Sequence, residues 1–182
     1  MAVPDVAGLL LAAGGGSRFG LPKALAPYRG ALLVEHALGA LADLAHTVVV
    51  LGAGAERVPP LRATVVINPD WATGMGSSLR VGLAALGDQT AVVVLPVDTP
   101  GITAAAVNRL AALATPDALV RATYAGVPGH PVLLGRAHWA GVAALAEGDT
   151  GARPYLARHP VTGVACDDVA DGADADRPEE LH

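Results

Sequence analysis

Two cations stand behind a run of glycines in this chain. Gly14, Gly15 and Gly16 are followed by Ser17 and Arg18 and then, past a proline, by Lys23. Glycine admits positive φ and lets successive amide N–H groups converge on an anion. Lys23 is the chain's single lysine; the other eleven of its 12 basic residues are arginine. One lysine, placed just after a glycine loop, points to a site that wants a compact ammonium rather than a planar fork. Leu11, Ala12, Ala13, Gly14 and Gly15, with Arg18 and Lys23, therefore form a candidate triphosphate cradle. The plainer alternative is a turn with a surface lysine. Two named motifs fail. The dinucleotide fingerprint needs glycine where Phe19 stands, and the P-loop needs lysine after its last glycine, whereas Gly20 is followed by Leu21-Pro22-Lys23-Ala24.

Asp98 follows an apolar run, Ala91 to Leu95, in Pro96-Val97-Asp98-Thr99-Pro100. Ligands bind beyond the carboxyl ends of strands in open α/β sheets, and a carboxylate there suits Mg²⁺. A turn aspartate before proline is the alternative. Ser77 and Ser78 lie at the expected start of a helix, behind the loop Asn68 to Gly76. They can offer hydroxyls and free N–H groups to a polar ligand edge, or simply cap. His130 sits in a Gly/Pro-rich loop, Gly129-His130-Pro131. The six histidines show no ligand spacing, and the lone Cys166 excludes a disulfide framework or a Cys-based zinc site.

Strands alternating with helices must position these residues. Strands are expected at Val6 to Ala12, Thr47 to Leu51, Thr64 to Ile67, Ala91 to Leu95, Ala118 to Thr123, Val132 to Leu134 and Val161 to Ala165. Helices are expected at Leu32 to Leu44, Leu79 to Leu86 with a Ser77 cap, Thr103 to Leu113, Ala137 to Ala146 and Gly151 to Arg158, with a short one from Pro178. The alternation predicts one α/β domain over residues 1–182, three-layered and Rossmann-like, with a mixed, mostly parallel sheet. Hydrophobic residues make up 52% of the 182, ample for a core and against disorder. The net charge is −5; the segment from Asp167 to His182 holds seven acids and one arginine, so the rest is near neutral. Bulk-charge binding of nucleic acid or membrane is not expected. The apolar run Val6 to Ala13 is far too short to span a bilayer. The first residues, Met1 to Asp5, bring no basic residue ahead of that run, so no secretory signal is expected and a cytoplasmic protein is.

The stretch Leu10-Leu11-Ala12-Ala13-Gly14-Gly15-Gly16-Ser17-Arg18-Phe19-Gly20-Leu21-Pro22-Lys23 resembles the signature of the MobA-like nucleotidyltransferases, in a form most like the molybdenum cofactor cytidylyltransferases. Phe19 replaces a usual methionine. Asn68 to Leu83, with its Gly74-Met75-Gly76-Ser77-Ser78-Leu79, also resembles that family. So do Gly129-His130-Pro131-Val132, Gly148-Asp149-Thr150-Gly151-Ala152-Arg153 and Asp174-Ala175-Asp176-Arg177-Pro178-Glu179-Glu180-Leu181. At Asp98-Thr99-Pro100 the acid is kept and a usual glutamine is lost.

The resemblance implies a fold like the nucleotide-diphospho-sugar transferases and a Mg²⁺-dependent transfer of CMP from CTP to molybdopterin, for a molybdenum hydroxylase client. It implies that Asp98 and Asp176 hold the metal, that Asn68, Ser77 and Ser78 serve the nucleotide, and that His130 and Arg153 serve the acceptor. Asp149 fits this pattern or a simple helix cap. A guanylyltransferase using GTP, or a non-catalytic carrier of nucleotide or pterin, remains the alternative. A Rossmann-type oxidoreductase is weakened by the failed fingerprint.

Overall fold

Seven strands form one sheet in the order β5-β4-β1-β6-β8-β7-β9. The computed structural model describes residues 5–181. Residues 1–4, on which the expectation of no secretory signal mostly rests, and residue 182 lie outside them. The strands are β1 (Val6–Ala12), β4 (His46–Leu51), β5 (Thr64–Ile67), β6 (Ala91–Pro96), β7 (Leu119–Tyr124), β8 (Val127–Gly135) and β9 (Thr162–Ala165). A separate two-residue pair joins β2 (Pro27–Tyr28) to β3 (Ala31–Leu32). The helices are α1 (Leu33–Ala40), α2 (Met75–Ala84), α3 (Ala104–Ala111), α4 (Trp139–Leu145) and α5 (Arg153–Leu156).

β1 is parallel to both β4 and β6, β4 to β5, and β7 to β9; β8 is antiparallel to β6 and β7. The sheet is thus mixed and mostly parallel, as the alternation predicts. All seven residues of β1 are buried, the expected state of a parallel strand covered on both faces. Leu10 and Ala12 point to one apolar cluster with Leu33, Val34, Val107 and Leu110 of α1 and α3. Leu9 and Leu11 point to another with Leu79, Val142, Tyr155 and Leu156 of α2, α4 and α5. These clusters make the three layers. Among the described residues, no helix is long and apolar enough to cross a membrane.

Several elements differ from expectation for local reasons. α1 stops at Ala40 rather than Leu44, and the turn beyond it lets Ala45 N–H bond to the Val6 carbonyl at 3.3 Å. α2 begins at Met75, a full turn early. Its cap is Gly74 at φ 115°, and Ser77 is inside the helix, so the expected Ser77 cap is corrected. The Ser77 hydroxyl faces the Gly74 and Asp70 carbonyls instead, at 3.0 and 3.1 Å. Thr103 does cap α3, accepting from Ala106 N–H. The short strand expected at Val132 is one arm of a hairpin. Ala125 and Gly126 both take positive φ, 50° and 77°, as a tight turn between twisted strands requires.

The acidic segment after β9 runs back across the sheet ends instead of leaving it. Thr103 Oγ1 donates to the Val169 carbonyl at 2.9 Å, Asp171 N–H to Gly101 O at 3.1 Å and Ala175 N–H to Asp98 O at 2.8 Å. Cys166 and Ala175 are buried. The approach at Gly101 is so close that a Cβ there would lie 2.5 Å from the Asp171 carbonyl oxygen. Gly101→Ala is therefore expected to loosen residues 171–176 while sparing the sheet. Amide exchange should speed up in that segment and stay slow in β1 and β6; unchanged exchange throughout would show that the strap does not depend on this contact.

Candidate active site

The chain leaves β1 towards β4 on one side and returns through β6 on the other, so the carboxyl ends of β1 and β6 form a crevice at the switch point of the sheet. Two loops meet there. Val97 N–H bonds to the Leu11 carbonyl at 3.0 Å, which holds the turn after β6 against the end of β1.

The glycine loop is shaped by Gly16. It takes φ 64°, and its carbonyl accepts from Phe19 N–H and Gly20 N–H, both at 2.9 Å. A Cβ at Gly16 would lie 2.0 Å from the Leu21 carbonyl oxygen, so the turn needs glycine. Phe19 plugs the loop into the core at 4% exposure. Among the described residues, the amides from Gly14 to Arg18 donate no hydrogen bond to the protein. They are free to meet an anion. Gly14 has open space where a Cβ would stand, whereas Gly15 packs against the Trp71 ring.

Lys23 follows at the start of a short turn whose next residue, Ala24, is buried. Its ammonium lies 2.9 Å from Asp98 Oδ2 and 3.3 Å from Asp176 Oδ1. Burial pulls the Lys23 pKa down, and the two carboxylates more than offset it, so the group stays above its ordinary value and charged. Asp174 sits close by. Burial, then the charges of Asp98 and Asp176, push its carboxyl above the usual range against the pull of Lys23. Lys23 is thus the counter-ion at a point where acids from two distant segments converge.

The crevice has two connected parts. One, about 500 Å³, runs under Ala13, Gly14 and Gly15 to Trp71, Met75 and Ser78. The other, about 350 Å³, holds Ser17, Arg18, Lys23, Asp98 and Asp176. Leu11, Gly14 and Asp149 line both. The first has the size and shape of a nucleoside slot. Trp71 supplies an aromatic wall, seated between Gly15 and Gly52, where a Cβ would come within 2.8 and 2.6 Å of its side chain.

Of the residues expected from sequence, Leu11, Ala13, Gly14, Gly15, Arg18, Lys23, Ser78, Asp98 and Asp176 line this crevice. Ala12 does not; its side chain points into the core beneath. Asn68 is buried behind the wall, donating to Ser77 Oγ at 2.8 Å and Ser78 Oγ at 2.9 Å and accepting from Asp70 N–H. Ser77 stays within the α2 turn, so Ser78 is the serine that faces the slot. Arg153 lies in a neighbouring cleft. Burial pushes the His130 pKa down to about 4, with the charges of Arg121 and Arg153 adding to the shift and that of Asp98 opposing it.

Trp71, Met75 and Asp149 were not expected from sequence as lining residues of the crevice. Asp149 is no helix cap, since Ala152 takes that place before α5. It is held in the crevice because Gly76 N–H bonds to the Gly148 carbonyl at 2.7 Å, and because Gly74 leaves room for it: a Cβ there would stand 2.7 Å from Asp149 Oδ1. The sequence signal was the glycine pair in Gly74-Met75-Gly76, which permits close approach of another backbone.

The strand ends thus carry a crevice with a glycine loop, an aromatic wall and two acids around one lysine. The chain belongs to the MobA-like NTP transferase domain family, whose model matches residues 8–163. It is 37% identical to the nicotine blue oxidoreductase of Paenarthrobacter nicotinovorans, over 99% of this chain and 96% of that one. Among solved structures it is similar to Rv0371c of Mycobacterium tuberculosis H37Rv, with a TM-score of 0.82 at 28% identity over 98% and 96% of the two chains. The manganese complex of Rv0371c from the same organism superposes with a TM-score of 0.75 at 29% identity over 88% of each chain.

The depressed pKa of His130 makes a stability prediction. The unfolded residue takes up a proton near 6.5, whereas the folded one resists until about 4. The folded state is therefore favoured most above the unfolded value and loses stability as pH falls from 6.5 towards 4. In His130→Gln this loss should disappear. The difference in unfolding free energy between wild type and variant should change across that window and be flat above it; parallel curves would mean that His130 titrates normally.

Proposed function

We propose that the chain, as one domain over residues 1–182, transfers a nucleotidyl group from a nucleoside triphosphate, CTP by preference, to the phosphate of a molybdopterin-type acceptor. Pyrophosphate is the other product. The observation that carries this reading is the convergence of Lys23, Asp98 and Asp176 at the mouth of the glycine loop. In the attack an acceptor phosphate oxygen forms a bond to the α-phosphorus, and the bond from that phosphorus to the bridging oxygen of the β-phosphate breaks. A phosphate nucleophile is already ionised near neutral pH, so no general base is required. The loop amides, Arg18 and Lys23 hold the leaving pyrophosphate and offset its charge. Leu11, Ala13, Trp71 and Ser78 hold the nucleoside, and Asn68 and Ser77 set Ser78 in place.

The donor set suits a divalent cation. Among the described residues no three His, Cys, Asp or Glu side chains gather into a metal cage. Mg²⁺, however, is commonly held by one or two carboxylates and completed by water and substrate phosphates. Asp98 and Asp176 already share one cation, the Lys23 ammonium, and they are the residues that would hold Mg²⁺ or Mn²⁺. A manganese complex of the related Rv0371c supports this. Such an ion would neutralise phosphate charge in the transition state.

The preference for CTP rests on Ala13. An alanine at this place is the form that resembles the cytidylyltransferases; GTP is the competing nucleotide. His130, neutral and beside Asp98, and Arg153 are assigned to the acceptor side. A molybdenum hydroxylase in the cytoplasm is the expected user of the product. A second reading has its own support: the full-length relative named nicotine blue oxidoreductase. In that reading the crevice holds a redox nucleotide rather than a triphosphate.

The readings separate in two assays. Thermal unfolding with CTP, GTP, ATP or UTP and Mg²⁺ should show a rise of roughly 5–10 °C with the preferred nucleotide at about a hundred times its Kd. Lys23→Ala should lower pyrophosphate release from CTP and molybdopterin by at least about 100-fold. Near-normal release in that variant would remove Lys23 from the chemistry. No pyrophosphate from any triphosphate, together with oxidation of a reduced nicotinamide in the presence of nicotine blue, would install the oxidoreductase reading. Binding without either reaction would favour a carrier.

A further inference from the structure

A second cleft lies beside β7, β9 and α5. It measures about 530 Å³ and is lined by Arg121, Arg153 and His159 among apolar residues such as Pro128, Leu156 and Val161. Arg121 projects from the middle of β7, directly across from Gly163 of the edge strand β9. Side chains of paired residues share a face, so the glycine leaves the space next to the Arg121 guanidinium open. Arg153 approaches from the start of α5. It donates through Nε to the Thr150 carbonyl at 3.3 Å and through one terminal nitrogen to the Asp149 carbonyl at 3.4 Å. His159 is fixed by stacking on Tyr155 at 3.9 Å and by a hydrogen bond from its Nδ1 to the Tyr155 carbonyl at 2.7 Å.

Both guanidiniums lack a counter-charge. Among the described residues no carboxylate forms an ion pair with Arg121 or Arg153, and the Arg121 Nε–H is buried with no hydrogen-bond partner. A buried donor left unmet is destabilising, and two like charges facing one cleft add to that cost. An oxyanion lying between the two guanidiniums would supply the missing counter-charge. The apolar lining asks for more than a bare ion: a phosphate or carboxylate group carried on an apolar body.

We propose that this cleft binds an organic oxyanion, with Arg121 as its chief ligand and Arg153 as the second. Resting on the nucleotidyl-transfer reading, the cleft anchors a second anionic group of the acceptor, remote from the phosphate that reacts. The turn that carries Asp149 into the catalytic crevice also supplies the carbonyls that orient Arg153, so the two clefts share one support.

The test is a titration of the whole protein with inorganic phosphate and with phenyl phosphate, followed by the ¹H–¹⁵N signals of the arginine Nε–H groups. Phenyl phosphate should bind in the millimolar range or tighter, shift the Arg121 signal, and bind better than inorganic phosphate. Arg121→Gln should weaken it by about tenfold or more, the loss of one charged hydrogen-bond pair. Lys23→Ala should leave it unchanged. Arg121→Lys, which keeps the charge and loses the fork, should retain part of the affinity and guards against a folding defect in the glutamine variant. The proposal falls if neither anion binds, if folded Arg121→Gln binds as well as wild type, or if Lys23→Ala abolishes binding and so places the anion in the glycine loop. Equal affinity for both anions would overturn the acceptor anchor by making the cleft a site for free phosphate. None of these readings needs turnover, so failure of nucleotidyl transfer, seen as absent pyrophosphate release, stays distinguishable from failure of this site.

Discussion

Two carboxylates from distant parts of the chain meet at one ammonium. Lys23 is separated from Asp98 by 75 positions and from Asp176 by 153, and Asp174 adds a third acid nearby. Like charges held this close repel, and the repulsion is strongest where water is partly excluded. A cation must therefore be present for the crevice to close in this form, and Lys23 provides it. Around this point the rest of the site follows. The glycine loop delivers Lys23, the parallel pair β1 and β6 sets Asp98 beside it, and the strap across the strand ends brings in Asp176.

Much of this is legible in the order of the amino acids. The unbroken apolar runs of β1 and β6 declare buried parallel strands, and the glycines with Lys23 declare an anion loop at the end of the first. Asp98 is legible because a strand ends just before it. Asp176 is legible only through resemblance; composition alone describes an acidic, Ala/Asp/Gly-rich stretch, which is what a solvated tail looks like. What makes it part of the site is backbone hydrogen bonding to Gly101 and Asp98, which leaves no periodic trace in sequence. The places of Trp71 and Asp149 are hidden for a related reason. Each is set by the close approach of two glycine-containing loops, Gly15 with Gly52 and Gly74 with Gly148, and a single sequence does not say which loops will touch. Ser77 reads as a cap, yet Gly74 has already begun the helix.

The kinship to a protein named for an oxidoreductase is a reminder that a fold fixes where a ligand sits more firmly than what happens to it. A crevice at a sheet switch point, with free loop amides and an aromatic wall, recognises features that many nucleotides share. The residues that separate one chemistry from another lie around it: the paired acids on one flank and the two uncompensated arginines on the other. The first group gathers negative charge around one ammonium; the second leaves two guanidiniums without an ion pair among the described residues.

The strap has a consequence for the making of the protein. The ribosome makes the glycine loop and Lys23 first, Asp98 75 positions later and Asp176 153 positions after Lys23. A partly made chain can thus fold its first strands and form the glycine loop while Lys23 still has only one carboxylate partner. The second arrives only after β9 has joined the sheet edge and Ala175 has docked on Asp98. The pairing of two acids around Lys23 is thus completed only once the segment that follows β9 has been made and docked.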